Sequence, residues 1–225
     1  MVIRMEPVVF NFPHSRLYDF YTKVFFLKIY EQFARWIPVG NPKGNVLDVG
    51  AAAGYLGAAL AEKYPQLNIY STDLSQDMVR LNRKVIRQHK LKDRVIAQRE
   101  DAYNLSFADS TFDLVINSFT FHHWDNPKRM FAELYRVLKP GGEMFIIDGK
   151  QGFNYEEMKE FCRTAGFGPL GRLLARIMGK LVWIDFVSTD YAHSALASSP
   201  FENATCEETG VFMFLRGSKA VPALA

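Results

Sequence analysis

The pattern of apolar and polar positions changes character twice along the chain. Residues 17–37 are rich in aromatics at helical spacing, which predicts one or two helices stopped by Pro38 and the turn "GNPKGN". From Asn45 short apolar runs alternate with helical periods. "NVLDV" predicts a strand, and residues 54–64 a helix with Leu56, Leu60 and Ala61 on its apolar side. "LNIYSTD" predicts a second strand, followed over residues 75–89 by a helix capped by Ser75, with Met78, Val79, Leu81, Val85 and Ile86 as its apolar set. "RVIAQRED" predicts a third strand. "FDLVINSF" predicts a fourth, apolar throughout as a strand covered on both faces must be. Residues 127–138 then predict a helix with proline in its first turn, ended by "KPGG" and followed by a fifth strand, "GEMFIID".

After Asp148 the alternation stops. Residues 155–165, 169–186 and 189–199 predict three helices, and "TGVFMFLRG" a terminal strand. Strand–helix alternation with short turns implies an α/β, doubly wound, mostly parallel sheet. Ligands of such a sheet bind outside the carboxyl ends of the strands, where the strand order reverses. The segment after the fifth strand is too short for a core of its own, so a helical insertion or lid is expected rather than a second domain.

Composition adds mainly exclusions. Across 225 residues, 48% are apolar, 23% are charged and the net charge is +3, which makes no basic patch for nucleic acid or an anionic membrane. The two cysteines, Cys162 and Cys206, have no metal-ligand spacing and are expected as reduced, packed thiols. The N-terminus has neither the apolar core nor the cleavage site of a signal peptide, and no segment has the apolar length of a membrane span. A cytoplasmic protein that holds no metal and no nucleic acid is the expectation.

The chemistry concentrates in "VLDVGAAAGYLG", residues 46–57. A dinucleotide-binding turn wants G-x-G-x-x-G, and here the matching frame begins with Ala52 in place of its first glycine. Asp48, ending the first strand, is also poorly placed beside a pyrophosphate, since two like charges 4 Å apart repel by about 4 kcal/mol at an effective dielectric of 20. A ligand carrying an ammonium and a sulfonium is instead drawn to it, and S-adenosylmethionine is such a ligand. Asp73, ending the second strand, can accept both ribose hydroxyls. Asp101 ends the third, placed with Ala102 to receive the adenine amino group and a ring nitrogen, while Leu74 and Met78 can flank the ring.

These stretches resemble the class I S-adenosylmethionine-dependent methyltransferases. "VLDVGAAAGYLG" is similar to that family's D/E-x-G-x-G-x-G motif, "STDLSQDMV" to its second-strand acidic motif, and "REDAYNLSFADSTFDLVINSFTFHHW" and "RVLKPGGEMFIID" to the segments around its later strands. The fourth-strand segment is most like the small-molecule and quinone or sterol methylating branch, methyltransferase type 11. "SSPFENATCEETGVFMFLRG" resembles the closing strand pair, so the resemblance implies seven strands in one domain. Residues 1–44 would form an N-terminal helical lid, 45–148 the cofactor-binding core, 149–199 the insertion, and 200–225 the closing strands and tail. Asn117 would lie near the cofactor's amino group. Ala52 stands where the family has its middle glycine and narrows the room for the methionine end, while Gly50 and Gly54 retain the freedom the turn needs.

Methyl transfer is an in-line displacement that positioning and desolvation can largely drive, so a general base is needed only for some acceptors. His122 or His123 in "NSFTFHHWDNP" can deprotonate an acceptor, and Phe121 or Trp124 can wall its pocket; equally, one histidine caps the turn and Trp124 packs on the sheet. Adjacent histidines point apart and do not share a metal. Tyr18 and Tyr21 can close over the cofactor and acceptor or simply pack a covering helix. In the segment 169–186, Leu173, Leu174, Ile177, Met178 and Leu181 make an apolar face, with Arg172, Arg176 and Lys180 four apart on another. Such a helix suits a pocket wall, a homodimer contact, or an interfacial helix that receives a lipophilic acceptor. The function expected is methylation of a small organic acceptor with release of S-adenosylhomocysteine. Its rivals are a catalytically silent partner or regulatory subunit of the same fold, an RNA or protein methyltransferase, and a nicotinamide oxidoreductase. Retention of three strand-end acids argues against the first, the lack of an RNA-binding signature against the second, and Asp48 against the third.

Overall fold

The computed structural model describes residues 19, 22–23, 26–164, 166–168 and 186–222. Seven strands form one sheet: β1 (Asn45–Val49), β2 (Asn68–Asp73), β3 (Val95–Arg99), β4 (Phe112–Ser118), β5 (Leu138–Gly149), β6 (Glu202–Thr209) and β7 (Phe212–Ser218). The order across the sheet is β3-β2-β1-β4-β5-β7-β6. Neighbours from β3 to β5 pair in parallel, and β7 runs antiparallel between β5 and β6. The chain winds outward from β1 through β2 to β3, then returns to β4 on the other side of β1. The order therefore reverses between β1 and β4, and a crevice opens above their carboxyl ends.

The described helices are α1 (Leu27–Trp36), α2 (Tyr55–Lys63), α3 (Gln76–Gln88), α4 (Pro127–Val137), α5 (Tyr155–Thr164) and α6 (Thr189–Ala197). Strand periodicity divides the core between the two faces of the sheet. Leu114 and Ile116 of β4, with Phe145 and Ile147 of β5, join the apolar cluster under α1, α2, α3 and α5. Val115, Met144 and Ile146 join the cluster under α4 and α6. A central strand apolar on both sides is thus the local signature of double winding. Phe131 and Leu134 of α4 are fully buried, and at roughly 1.5–3 kcal/mol per large apolar side chain they hold that helix to the sheet. Ser75 caps α3 by accepting from the Met78 amide at 3.3 Å. Asn126 caps α4 through the Arg129 amide at 3.0 Å, one residue before Pro127.

Two boundaries differ from the sequence expectation. β5 starts at Leu138, so "KPGG" lies inside a strand rather than in a turn after the helix. A register shift between Phe112 and Leu114, together with a left-handed Gly141 (φ 75°), accommodates the proline and glycines at the sheet's entry. β3 stops at Arg99, which leaves Asp101 beyond its end. The helix expected over 169–186 lies outside the described residues except at Phe186, as do Tyr18 and Tyr21. Among the described residues, no helix is long and apolar enough to cross a membrane.

Candidate active site

The turn after β1 has left-handed backbone at three alternate residues: Gly50 (φ 68°), Ala52 (φ 47°) and Gly54 (φ 79°). Glycine adopts this conformation freely; for alanine it costs about 1–2 kcal/mol. The turn therefore bends around the Ala52 methyl without losing its shape. Its neighbours also need the glycines. A Cβ on Gly50 would lie 2.8 Å from Thr120 Cγ2, and one on Gly54 would collide with the Asn82 side chain. Helix α2 begins directly after Gly54, which has no side chain to cap it, so the positive end of the helix dipole lies at the turn.

Asp73 fastens this turn to β2. Its Oδ2 accepts from the Ala52 amide at 2.9 Å and its Oδ1 from the Ser75 amide at 2.8 Å. Burial pushes its carboxyl above the usual aspartate range, against the pull of those two amides. Each oxygen keeps a lone pair, so two ligand hydroxyls can still be received. Asp48 behaves differently from its expected role. It is fully buried, below the turn rather than at its surface, with one oxygen 3.3 Å from where a Cβ on Gly57 would sit. Neither oxygen has a hydrogen-bond partner. Burial raises its carboxyl to about 7, the Asp73 carboxylate adds to the rise, and the Gly57 backbone N–H opposes it without ordinary hydrogen-bond geometry. Any attraction of Asp48 for a cationic ligand acts through its field and not by contact.

On the other side of the switch point, Asn117 ends β4, with its Nδ2 donating to the Val49 carbonyl at 2.7 Å and to Thr120 Oγ1. Its Oδ1 is buried and has no partner, an acceptor held next to the β1 turn. Phe119 has positive φ (54°), which turns the chain sharply into the 3-10 turn Phe121–His123. Asp148, fully buried in β5, meets that turn. Its Oδ2 accepts from the His122 amide at 3.0 Å, and its two oxygens lie 2.9 and 3.0 Å from His122 Nδ1. Oδ1 also accepts from the Gly149 amide at 2.8 Å. The Phe186 ring stands edge-on over His122, centroids 4.7 Å apart, and packs on Gly149 where a Cβ would have no room. The His123 ring lies against His122, with centroids 3.9 Å apart.

The remaining expectations divide. Leu74 and Ala102 are half-buried at the crevice side of β2 and β3. Met78 is 1% exposed, in the first turn of α3. Asp101 is exposed in a tight turn, and its Oδ1 accepts from the Tyr103 amide at 2.9 Å. Phe121 and Trp124 are buried in the cluster beneath α4, where Phe131 packs against both rings, the packing alternative that the sequence offered for Trp124. Asp148, Thr120 and Phe186 were missed. Asp148 carried the same signal as the other acids, a carboxylate ending an apolar strand, while Phe186 emerges from an insertion whose direction the pattern does not give.

The arrangement fits S-adenosylmethionine on the features present: a carboxylate at the end of β2, the N-terminus of α2 at the left-handed turn, a buried free acceptor on Asn117 and a raised acid below the turn. Comparison with known proteins agrees. Residues 47–146 match the family described as "Methyltransferase domain". The chain is 26% identical over 143 residues to a demethylmenaquinone methyltransferase of Bacteroides fragilis, 63% of this chain and 58% of the relative; it therefore spans little more than half that protein's length. It is 25% identical over 207 residues to a ubiquinone/menaquinone biosynthesis C-methyltransferase of Desulfotalea psychrophila, 89% of this chain and 82% of the relative. Among solved structures, a SAM-dependent methyltransferase from Aquifex aeolicus superposes with a TM-score of 0.67 at 20% identity, covering 92% of this chain and 99% of that one. A Methanococcus maripaludis structure superposes with a TM-score of 0.74 at 21% identity over the whole of both chains. With the motif on the expected strand-to-helix turn, residues 47–146 are similar to the methyltransferase domain family, and the fold is that of the S-adenosylmethionine-dependent methyltransferase structures.

Proposed function

We propose that this protein transfers the methyl group of S-adenosylmethionine to a small, lipophilic acceptor of the quinol type, releasing S-adenosylhomocysteine. The observation that carries the cofactor is Asp73, which ends β2 and ties the left-handed turn to the strand where a ribose would be received. Gly50, Ala52 and Gly54 shape the turn, the first amides of α2 meet the methionine carboxylate, and Asn117 Oδ1 takes the amino group. When bound, the cofactor supplies an activated methyl on a sulfonium, so the protein's task is positioning and exclusion of water. The curated relatives named for demethylmenaquinone support the acceptor class. So does the apolar surround of the β4–β5 end, where Phe119 and Phe186 stack with centroids 6.4 Å apart.

The test supplies methyl-labelled S-adenosylmethionine with a short-chain demethylmenaquinol, kept reduced, beside catechol, glycine and a mixed RNA pool. Label in the naphthoquinol alone, absent with Asp73→Ala, is the expected result. Label in glycine or RNA in preference to the quinol would contradict the acceptor class.

A further inference from the structure

We infer that His122 is the proton acceptor of the reaction and Asp148 its positioning residue, so that the acceptors are molecules that lose a proton on methylation. This inference rests on the methyltransferase reading above. The two residues are far apart in sequence and meet because parallel β4 and β5 end side by side. Asp148 is wholly buried and the His122 side chain is 8% exposed. Such a carboxylate only accepts hydrogen bonds, so its contact with Nδ1 requires the proton on that nitrogen. Nε2 is thereby left as a lone-pair acceptor, and it has no hydrogen-bond partner among the described residues. The backbone bond from the His122 amide to the same carboxylate fixes the ring from a second point.

Place and surroundings match the role. Thr120, two residues before His122, touches Gly50 of the cofactor turn and is bonded to Asn117. His122 therefore sits on the loop that joins β4 to the turn beside Gly50. Phe186 shields the imidazole from water, which favours direct proton transfer from a bound acceptor over exchange with solvent.

For a quinol, the hydroxyl proton passes to Nε2 and the electron pair left on oxygen raises the nucleophilicity of the ring carbon. That carbon bonds to the methyl as the carbon–sulfur bond breaks, with its electron pair remaining on sulfur. The methylated carbon then loses its ring proton and the oxygen regains one, restoring the aromatic ring. One proton is released overall, balancing the charge lost from the sulfonium, and imidazolium returns it to water. An amine that attacks through a free lone pair, or a thioether, needs none of this.

Two measurements on the full chain separate this inference from the function it rests on. Long-range proton–nitrogen correlation spectra of histidine-labelled protein, with His122→Gln to assign the signals, read the tautomer without any acceptor. Nδ1–H at His122 is expected in the wild type, and Nε2–H there would overturn the inference. In turnover of a short-chain demethylmenaquinol, His122→Gln should lower kcat about 100-fold or more, with S-adenosylhomocysteine affinity unchanged within about twofold and partial recovery in added imidazole. Asp148→Asn should lower kcat by about tenfold with little change in KM, and Asp148→Glu should recover part of it. A His122→Gln variant that turns over at the wild-type rate would overturn the role of His122. A wild type that binds S-adenosylhomocysteine yet methylates only thioethers or amines would overturn the acceptor class. A wild type that fails to bind S-adenosylhomocysteine would instead remove the proposed function, while the tautomer would still decide the pairing.

Discussion

Two aspartates, Asp48 at the end of β1 and Asp148 near the end of β5, are equally inaccessible to solvent and live in opposite circumstances. Asp148 is bonded to two backbone amides and one imidazole. Asp48 has no partner, and its carboxyl is raised to about 7. Burial alone therefore says little about what an acid does. Where donors converge on it, a carboxylate becomes a rigid fixture that can orient another side chain. Where none do, the charge is the costly state, and burial favours the protonated acid.

The largest expected effect is on the satisfied side. Asp148→Ala would leave the His122 and Gly149 amides unpaired in the core, at roughly 1–3 kcal/mol each. Urea unfolding should show a loss of about 3–4 kcal/mol on that scale. A loss below about 1 kcal/mol would mean that the two amides find other partners and that Asp148 is no fixture.

Asp48→Asn should act in the opposite direction, and only at high pH. The native state keeps a proton on Asp48 that the unfolded chain releases near the ordinary aspartate value of 3.8. Its contribution to stability is thus fully present below about pH 4, falls as pH rises, and is lost through about pH 7. Asp73, also raised by burial, works in the same direction. Acids held below their usual range on the surface, Asp113 and Glu133 among them, work against it. The difference between variant and wild type isolates Asp48. At about 1.4 kcal/mol per pH unit, Asp48→Asn should gain roughly 2–3 kcal/mol more at pH 8 than at pH 5. An equal effect at both pH values would mean that Asp48 is ionised and partnered.

Ala52→Gly should have the smallest effect. It relieves left-handed backbone at φ 47° but gives the unfolded chain more freedom, for a net gain of about 0.5–1 kcal/mol. A loss of stability would show that the methyl makes a contact worth more than the strain.

The same contrast marks how far the sequence could be read. The acids ending β1 and β2, the cap at Ser75 and the alternation that defines a doubly wound sheet are local signals, each contained in one short stretch. Whether an acid is partnered is not local. Asp148 and His122 are joined only by the crossover through α4, and nothing in "GEMFIID" announces a histidine. Loop aromatics such as Phe121 and Trp124 can wall a pocket or pack, and only the fold shows the 3-10 turn placing both in the cluster with Phe131. "KPGG" carries turn chemistry that β4 pairing overrode, at a place where the register could shift to absorb it. The strand boundary near Asp101 was not legible either: β3 ends at Arg99, and Asp101 Oδ1 accepts from the Tyr103 amide in the turn beyond it.

The central claim is that the β1–β4 switch point holds S-adenosylmethionine, and the most direct test is calorimetric titration of the full chain with S-adenosylhomocysteine, beside Asp73→Asn. Asp73 stands between the two extremes, bonded to the turn yet with capacity left for a ligand. Micromolar binding by the wild type, weakened about tenfold or more in Asp73→Asn, corresponds to a loss of at least about 1.4 kcal/mol and is the predicted result. Wild-type protein that is folded and yet takes up no S-adenosylhomocysteine, or an Asp73→Asn variant that binds it equally well, would contradict the account.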